Sequence, residues 1–168
     1  MENGDTHIGV NNRFNSPQNI YLDDYIHIGN NNRFYADATI TIREGTIIAD
    51  NCEFRTANHY YDGEDLKMLP YDERVICKPI TVERNCWIGT QVIVLPGVSI
   101  NEWAVIGAGS VISKDVPPYA VVCGNPARVV KYRSIDVYHK LAEEQQQIMK
   151  VFNSYKRIKI YKEKKQND

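Results

Sequence analysis

His59 stands near the start of the stretch TANHYYDGEDLKMLPYDERVICKP, residues 56–79. A neutral imidazole, with an ordinary pKa of about 6.5, can take the proton of a hydroxyl group while that group attacks an electrophilic carbon. The chain has four histidines. His7 and His27 belong to a repeated unit, and His139 falls in a segment rich in helix formers. Only His59 marks the place where the pattern of the surrounding sequence stops. Asp62, three residues on, or a backbone carbonyl are the candidates to hold its tautomer. The four cysteines, Cys52, Cys77, Cys86 and Cys123, form no CxxC pair and no metal-ligand spacing. No nucleophile elbow or Cys/His signature is present. Taken by itself, a lone histidine on a loop is more often a plain surface residue than a catalyst, and His59 stands here as a candidate for proton transfer.

The elements that must position such a base are written in a six-residue beat. From residue 82 the aliphatic positions fall at Val82, Ile88, Val94, Ile100, Ile106 and Ile112, and four residues after each come Cys86, Val92, Val98, Ala104, Ser110 and Val116. Neither a helix (3.6) nor an alternating strand (2) has a period of six. One large inward residue and one compact corner residue per six suits a triangular coil. Its successive turns pair as parallel strands about 4.8 Å apart. HIGVNNRF at 7–14 returns as HIGNNNRF at 27–34, and Ile28, Phe34 and Ile40, then Ile42, Ile48 and Phe54, keep the six-residue step. This self-similarity predicts a solenoid, with the Asn-Asn pairs at left-handed corners. Stretch 56–79 breaks the beat, and the register resumes at Val82, so a long loop should leave and rejoin one coil.

Composition sets the outer limits. With 168 residues the expectation is one domain. Lysine plus arginine (20) against aspartate plus glutamate (21) leaves a net charge of −1, so no global basic field speaks for nucleic acid or an anionic membrane. An anionic ligand must then be held by a local cluster. No apolar run approaches 18 residues and the opening MENGDTHIGV has no charged-then-apolar leader, so the expectation is a cytoplasmic chain with no integral membrane segment. The organisation read from the sequence is a β-helix over 1–132, carrying the loop at 56–79, and a C-terminal helical extension with a basic tail over 133–168. Val137, Leu141, Ile148 and Phe152 approximate one helix face that should cap the solenoid. The run Lys156 to Lys165 reads as a solvated tail, with contact to an anionic glycan or nucleotide as the alternative.

The segment ITVERNCWIGTQVIVLPGVSINEWAVIGAGSVISKDVPPYAVVCGNPARVVK, 80–131, resembles the hexapeptide-repeat acyltransferases, in particular the galactoside, maltose and xenobiotic O-acetyltransferase branch. The likeness is strong over about 56–131 and extends to the earlier coils by pattern only. It implies an all-β, left-handed parallel β-helix. The hand comes from the resemblance and not from the period, against the usual right-handed crossover. It also implies acetyl-CoA as co-substrate, with His59, upstream of the KPI and WIG segments, as general base. Trp87 would lie near the thiol end, and Thr90 and Ala108 would line the pantetheine groove. Ser113 and Lys114 of SKDVPP would contact the outer part of the cofactor, with Arg128 and Lys131 of GNPARVVK at its phosphates. The small residues GAGS at 107–110 also satisfy plain corner geometry. Tyr60 and Asp62, with Tyr61 and Tyr71, are the expected acceptor side, either stacked on a sugar or packed among themselves.

A convex prism leaves a groove only where copies pack side by side, so a homotrimer with sites between subunits is expected. The implied reaction is O-acetylation of a sugar or surface-glycan precursor, with N-acetylation of a nucleotide-linked amino sugar as the alternative. MENGDTHIGV enters the first coil almost at once, so the helical N-terminal extension of the maltose and galactoside enzymes is not expected here, which loosens any inference to their small sugars. A zinc enzyme on the same fold would need three histidines across adjacent coils, for which only His7, His27 and His59 are at hand. A scaffold without activity would keep the beat but not the loop histidine and SKDVPP…GNPAR.

Overall fold

The computed structural model describes residues 6–144. The six-residue beat folds as a three-faced parallel β-solenoid of about six turns. The first face stacks His7–Ile8, His27–Ile28, Ile47–Ile48, Trp87–Ile88, Val105–Ile106 and Ala120–Gly124. The second stacks Arg13–Asn15, Arg33–Tyr35, Glu53–Arg55, Ile93–Val94 and Val111–Ile112, and the third Ile20–Leu22, Ile40–Ile42, Ile80–Val82 and Ser99–Ile100. Each strand pairs with its counterpart one coil away, so like side chains form columns. Phe14, Phe34 and Phe54 stack with ring centroids 4.9 Å apart and continue into Val94 and Ile112. Parallel columns of Ile28, Ile48, Ile88 and Ile106, and of Ile42, Val82 and Ile100, complete a dry interior.

The corners follow the sequence closely. Asn11, Asn31, Asn51, Asn85 and Gln91 all have φ near +60°, the left-handed bend that asparagine tolerates. Cys86, Val92, Val98, Ala104 and Ser110 are buried at the corners, as expected. Val116 departs from that scheme. It bridges to Ile100 on the third face, because the SKD corner before it is short.

Two of the three corners keep the six-residue step in every coil, and the third does not. From the second face to the third, Phe14 to Leu22 and Phe34 to Ile42 take eight residues, Val94 to Ile100 six, and Ile112 to Val116 four. The 20-residue repeat of the first coils is this longer corner. In the third coil the same corner is thrown out as the loop between Phe54 and Ile80, which leaves and rejoins one coil as predicted.

The loop has internal order that its sequence does not announce. Ala57–His59 and Val75–Cys77 form an antiparallel stem. Beyond it, the fully buried Asp72 carboxylate receives the Arg74 guanidinium at 2.6 Å and the backbone N–H groups of Arg74 and Lys67. Arg74 also reaches Asp65 at 2.6 Å and lies 4.0 Å over the Tyr60 ring, whose hydroxyl donates to Asp65. Arg74 holds the Asp72 carboxyl well below the usual carboxylate range. Asp72 and Asp65 in turn raise Arg74 above its ordinary value.

The C-terminal end is closed by an element the six-residue pattern hides. Ala127–Tyr132 turns back antiparallel on Ala120–Gly124 and covers the edge of the first face. The helix Ile135–Glu143 follows, but not on the expected face. Val137 and Leu141 are exposed, while Tyr138 and His139 pack on Trp103 and, for His139, Tyr119. Arg133 locks this contact, donating to the Trp103 carbonyl and lying 3.8 Å over the Tyr138 ring. Aromatic side chains, not the aliphatic stripe, carry the docking because Trp103 occupies the corner beneath. Ile148, Phe152 and the run Lys156 to Lys165 lie outside the described residues.

Phe34→Ala should lower stability by about 3–5 kcal/mol, since it opens a gap between two stacked rings. The urea midpoint checks this, with the exposed Tyr21→Ala as a neutral control. Arg74→Ala should raise amide exchange across 60–73 at least about tenfold while coil exchange stays unaltered. Folding depresses the Asp72 pKa, so its contribution is complete above the ordinary carboxylate range and is lost only as pH falls below it. Loop protection, corrected for intrinsic rates, should therefore stay flat from about pH 5 to 8.

Candidate active site

The stem of the extruded loop carries His59 as the last residue of its first strand, paired with Val75. The side chain is exposed, and its imidazole stacks flat on the Tyr71 ring, with centroids 3.9 Å apart and planes 16° from parallel. A flat stack leaves the in-plane edge of the imidazole, which carries both nitrogens, off the Tyr71 ring. No hydrogen bond from a described side chain reaches them, and Asp62 is exposed without a bond to His59. Tyr60 is committed to the loop's own closure, through Asp65 at its hydroxyl and Arg74 over its ring. Tyr71, read from sequence as a sugar platform or packing residue, spends one ring face on His59.

The expected donor residues fall into two groups. Trp87 lies on the first face, exposed, between Ile47 and Val105. Thr90 and Ala108 occupy the next corner on consecutive coils, where the Gly109 N–H donates to the Thr90 carbonyl at 2.8 Å. The Thr90 hydroxyl donates to the Asp50 carbonyl at 2.8 Å. Glycine is required beside them: a Cβ on Gly89 would come within 2.8 Å of the Ala108 nitrogen.

Ser113, Lys114 and Arg128 meet instead around a cavity of about 280 Å³ at the C-terminal end of the prism. Its floor is Ile112, Val116 and Val122, inward residues of the last coils, and its wall is Ala127, Arg128 and Val129 of the returning strand. Asp115 also lines it, its carboxylate accepting from the Ser99 N–H at 2.8 Å, so Lys114 and Arg128 leave one net positive charge over the apolar floor, which suits an anionic group with an apolar tail. Lys131 sits farther along that strand, paired with Val121 and outside the lining. Ser113 and Lys114 stand on the same variable corner from which the His59 loop leaves, two coils on, about 10 Å along the axis. The returning strand is the part of this site that sequence reasoning missed. The step from Val116 to Val122 conceals that the chain reverses at Gly124.

His7 and His27 stack on the first face at 4.9 Å, on a different face from the loop that carries His59. Burial lowers the pKa of His27, with the neighbouring His7 adding to the effect.

Residues 79–114 match the family model described as bacterial transferase hexapeptide (six repeats). The galactoside O-acetyltransferase of Escherichia coli K12 is 39% identical over 95 residues, 56% of this chain and 45% of that one. The chain spans about half the length of the curated relatives it matches. Among solved structures, a maltose O-acetyltransferase from Clostridium difficile 630 is 34% identical, with a TM-score of 0.57 over 76% of this chain and 70% of that one. A hexapeptide-repeat-containing acetyltransferase of Vibrio cholerae O1 biovar eltor, complexed with acetyl-coenzyme A, is 30% identical. Its TM-score is 0.71 over 79% of this chain and 70% of that one. With the coil register and this extent of likeness together, the chain belongs to the hexapeptide-repeat acetyltransferases.

Proposed function

We propose that the protein transfers an acetyl group from acetyl-CoA to a hydroxyl of a sugar or surface-glycan precursor, with His59 as general base. The observation that carries this reading is the placement of His59. Its exposed imidazole stands at the root of the extruded corner, stacked on Tyr71, on the prism edge that also bears Ser113 and Lys114. The acceptor oxygen would attack the thioester carbonyl as the imidazole takes its proton. Collapse of the tetrahedral intermediate would break the C–S bond, and the departing thiolate would receive that proton. A backbone N–H is the simplest donor to the oxyanion.

Two features support a site shared between copies. Thr90 and Ala108 lie on a different edge of the prism from His59, Ser113 and Lys114, so one continuous groove needs an edge from each of two neighbours. Trp87 on the first face and Ile93 on the second leave exposed apolar surface on either side of the Thr90 and Ala108 corner. A threefold trimer is the closed arrangement that satisfies this. No helix among the described residues is long and apolar enough to cross a membrane, and we place the reaction in the cytoplasm. Lys114 and Arg128, with Ser113 beside them and Lys131 farther out, are the proposed contacts to the charged end of the donor. Asp62 and the open side of the loop face the acceptor.

His59→Ala should lower turnover by about 10²–10⁴-fold while coenzyme A binding and melting temperature stay as in wild type. Free-thiol release from acetyl-CoA over a panel of glycans and amino sugars measures this. Near-normal turnover in the variant on an amine acceptor would favour N-acetylation, since an unprotonated amine needs less help from a base. Lys114→Ala and Arg128→Ala should each weaken coenzyme A binding by about three- to tenfold, more at low salt, as read by titration calorimetry.

A further inference from the structure

We propose that Tyr71 is the positioning residue for His59, with the Asp72–Arg74 clamp as the anchor that aims it. The inference rests on His59 being the base. An exposed imidazole on a loop stem rotates about two side-chain bonds, and a base that wanders loses the near-attack geometry on which its rate depends. The usual device, a carboxylate or carbonyl on the second ring nitrogen, is absent among the described residues, where the His59 ring makes the Tyr71 stack and no hydrogen bond, and only its backbone N–H reaches a side chain, that of Asn58 at 3.0 Å. The contact that constrains the ring is the Tyr71 face, at 3.9 Å and 16°.

That face is itself held from one residue away. Asp72 is fully buried, gripped by Arg74 and by two backbone N–H groups, and its own N–H donates to the Tyr60 carbonyl at 3.3 Å. The ring before it has little freedom to leave the imidazole. The stack fixes the imidazole plane and leaves the edge that carries both nitrogens off the Tyr71 ring. When the base takes its proton, the new positive charge lies over an electron-rich ring face. The antiparallel stem closes the loop at its base, and the buried clamp orders the segment beyond it, the segment that carries Tyr71.

The test uses the full chain with Tyr71→Leu, Tyr71→Phe, His59→Ala and the Leu and Ala changes combined. Tyr71→Leu should lower kcat about ten- to a hundredfold with KM for acetyl-CoA within about twofold, and Tyr71→Phe, which keeps the ring face, should restore most of it. The loss should vanish in the His59→Ala background, since Tyr71 acts through that ring. Histidine-labelled NMR gives a readout independent of activity. The His59 ring protons should show an upfield ring-current displacement that Leu removes and Phe retains. Tyr71 is 44% exposed, so neither change empties the core, and melting curves serve as the control. An equal loss of kcat with and without His59, or a displacement that Tyr71→Leu leaves unaltered, would overturn the positioning role and leave His59 as base. A near-normal His59→Ala with the displacement intact would overturn the catalytic role of both residues and leave the stack as architecture.

Discussion

The interaction on which this molecule depends is the stacking of like side chains in columns between coils. Parallel pairing at about 4.8 Å brings each inward residue directly over its counterpart, so a column can be filled only by chains of matching shape. Phenylalanine over phenylalanine over phenylalanine, then valine and isoleucine, satisfies that demand on the second face. A residue gained or lost within a face would turn the whole strand inside out. Length can therefore vary only at a corner, and here one corner absorbs all of it.

This constraint decides where chemistry can live. A prism filled by its own side chains has no interior to lend, so any site has to lie on its edges and ends. The variable corner supplies both a wall, as the extruded loop in the third coil, and a rim, as the short SKD corner of the fifth. Loop and solenoid are held by different physics. The coils rest on buried apolar columns, while the loop beyond its stem rests on one buried carboxylate and the arginine that neutralises it. Such a pair adds less net stability than its Coulomb attraction suggests, because both groups must be desolvated, whereas losing either partner would leave the other buried and unpaired.

Much of this was written in the residue order. The six-residue step, the inward columns, the left-handed Asn corners and the coil that throws the loop follow from spacing alone, because a solenoid repeats one local environment and spacing is that environment's only variable. His59 was legible as the residue at the break. Less legible were the parts made by contacts distant in sequence or by side-chain geometry. The helix was expected on Val137 and Leu141, yet Tyr138 and His139 hold it, since the surface it meets, Trp103, lies more than 30 residues earlier. Val116 looked like another corner until a shortened turn placed it on a face.

What the sequence determined by itself is the coil, because parallel stacking converts a linear period directly into a three-dimensional one. What the tertiary structure decided is the return of Ala127–Tyr132 on the last strand and the cavity it walls with Arg128. It also decided the Asp72–Arg74 clamp and the flat meeting of Tyr71 with His59. None of these has a period. Each depends on a chain reversal or on a side-chain direction, and neither is encoded in the spacing of apolar residues.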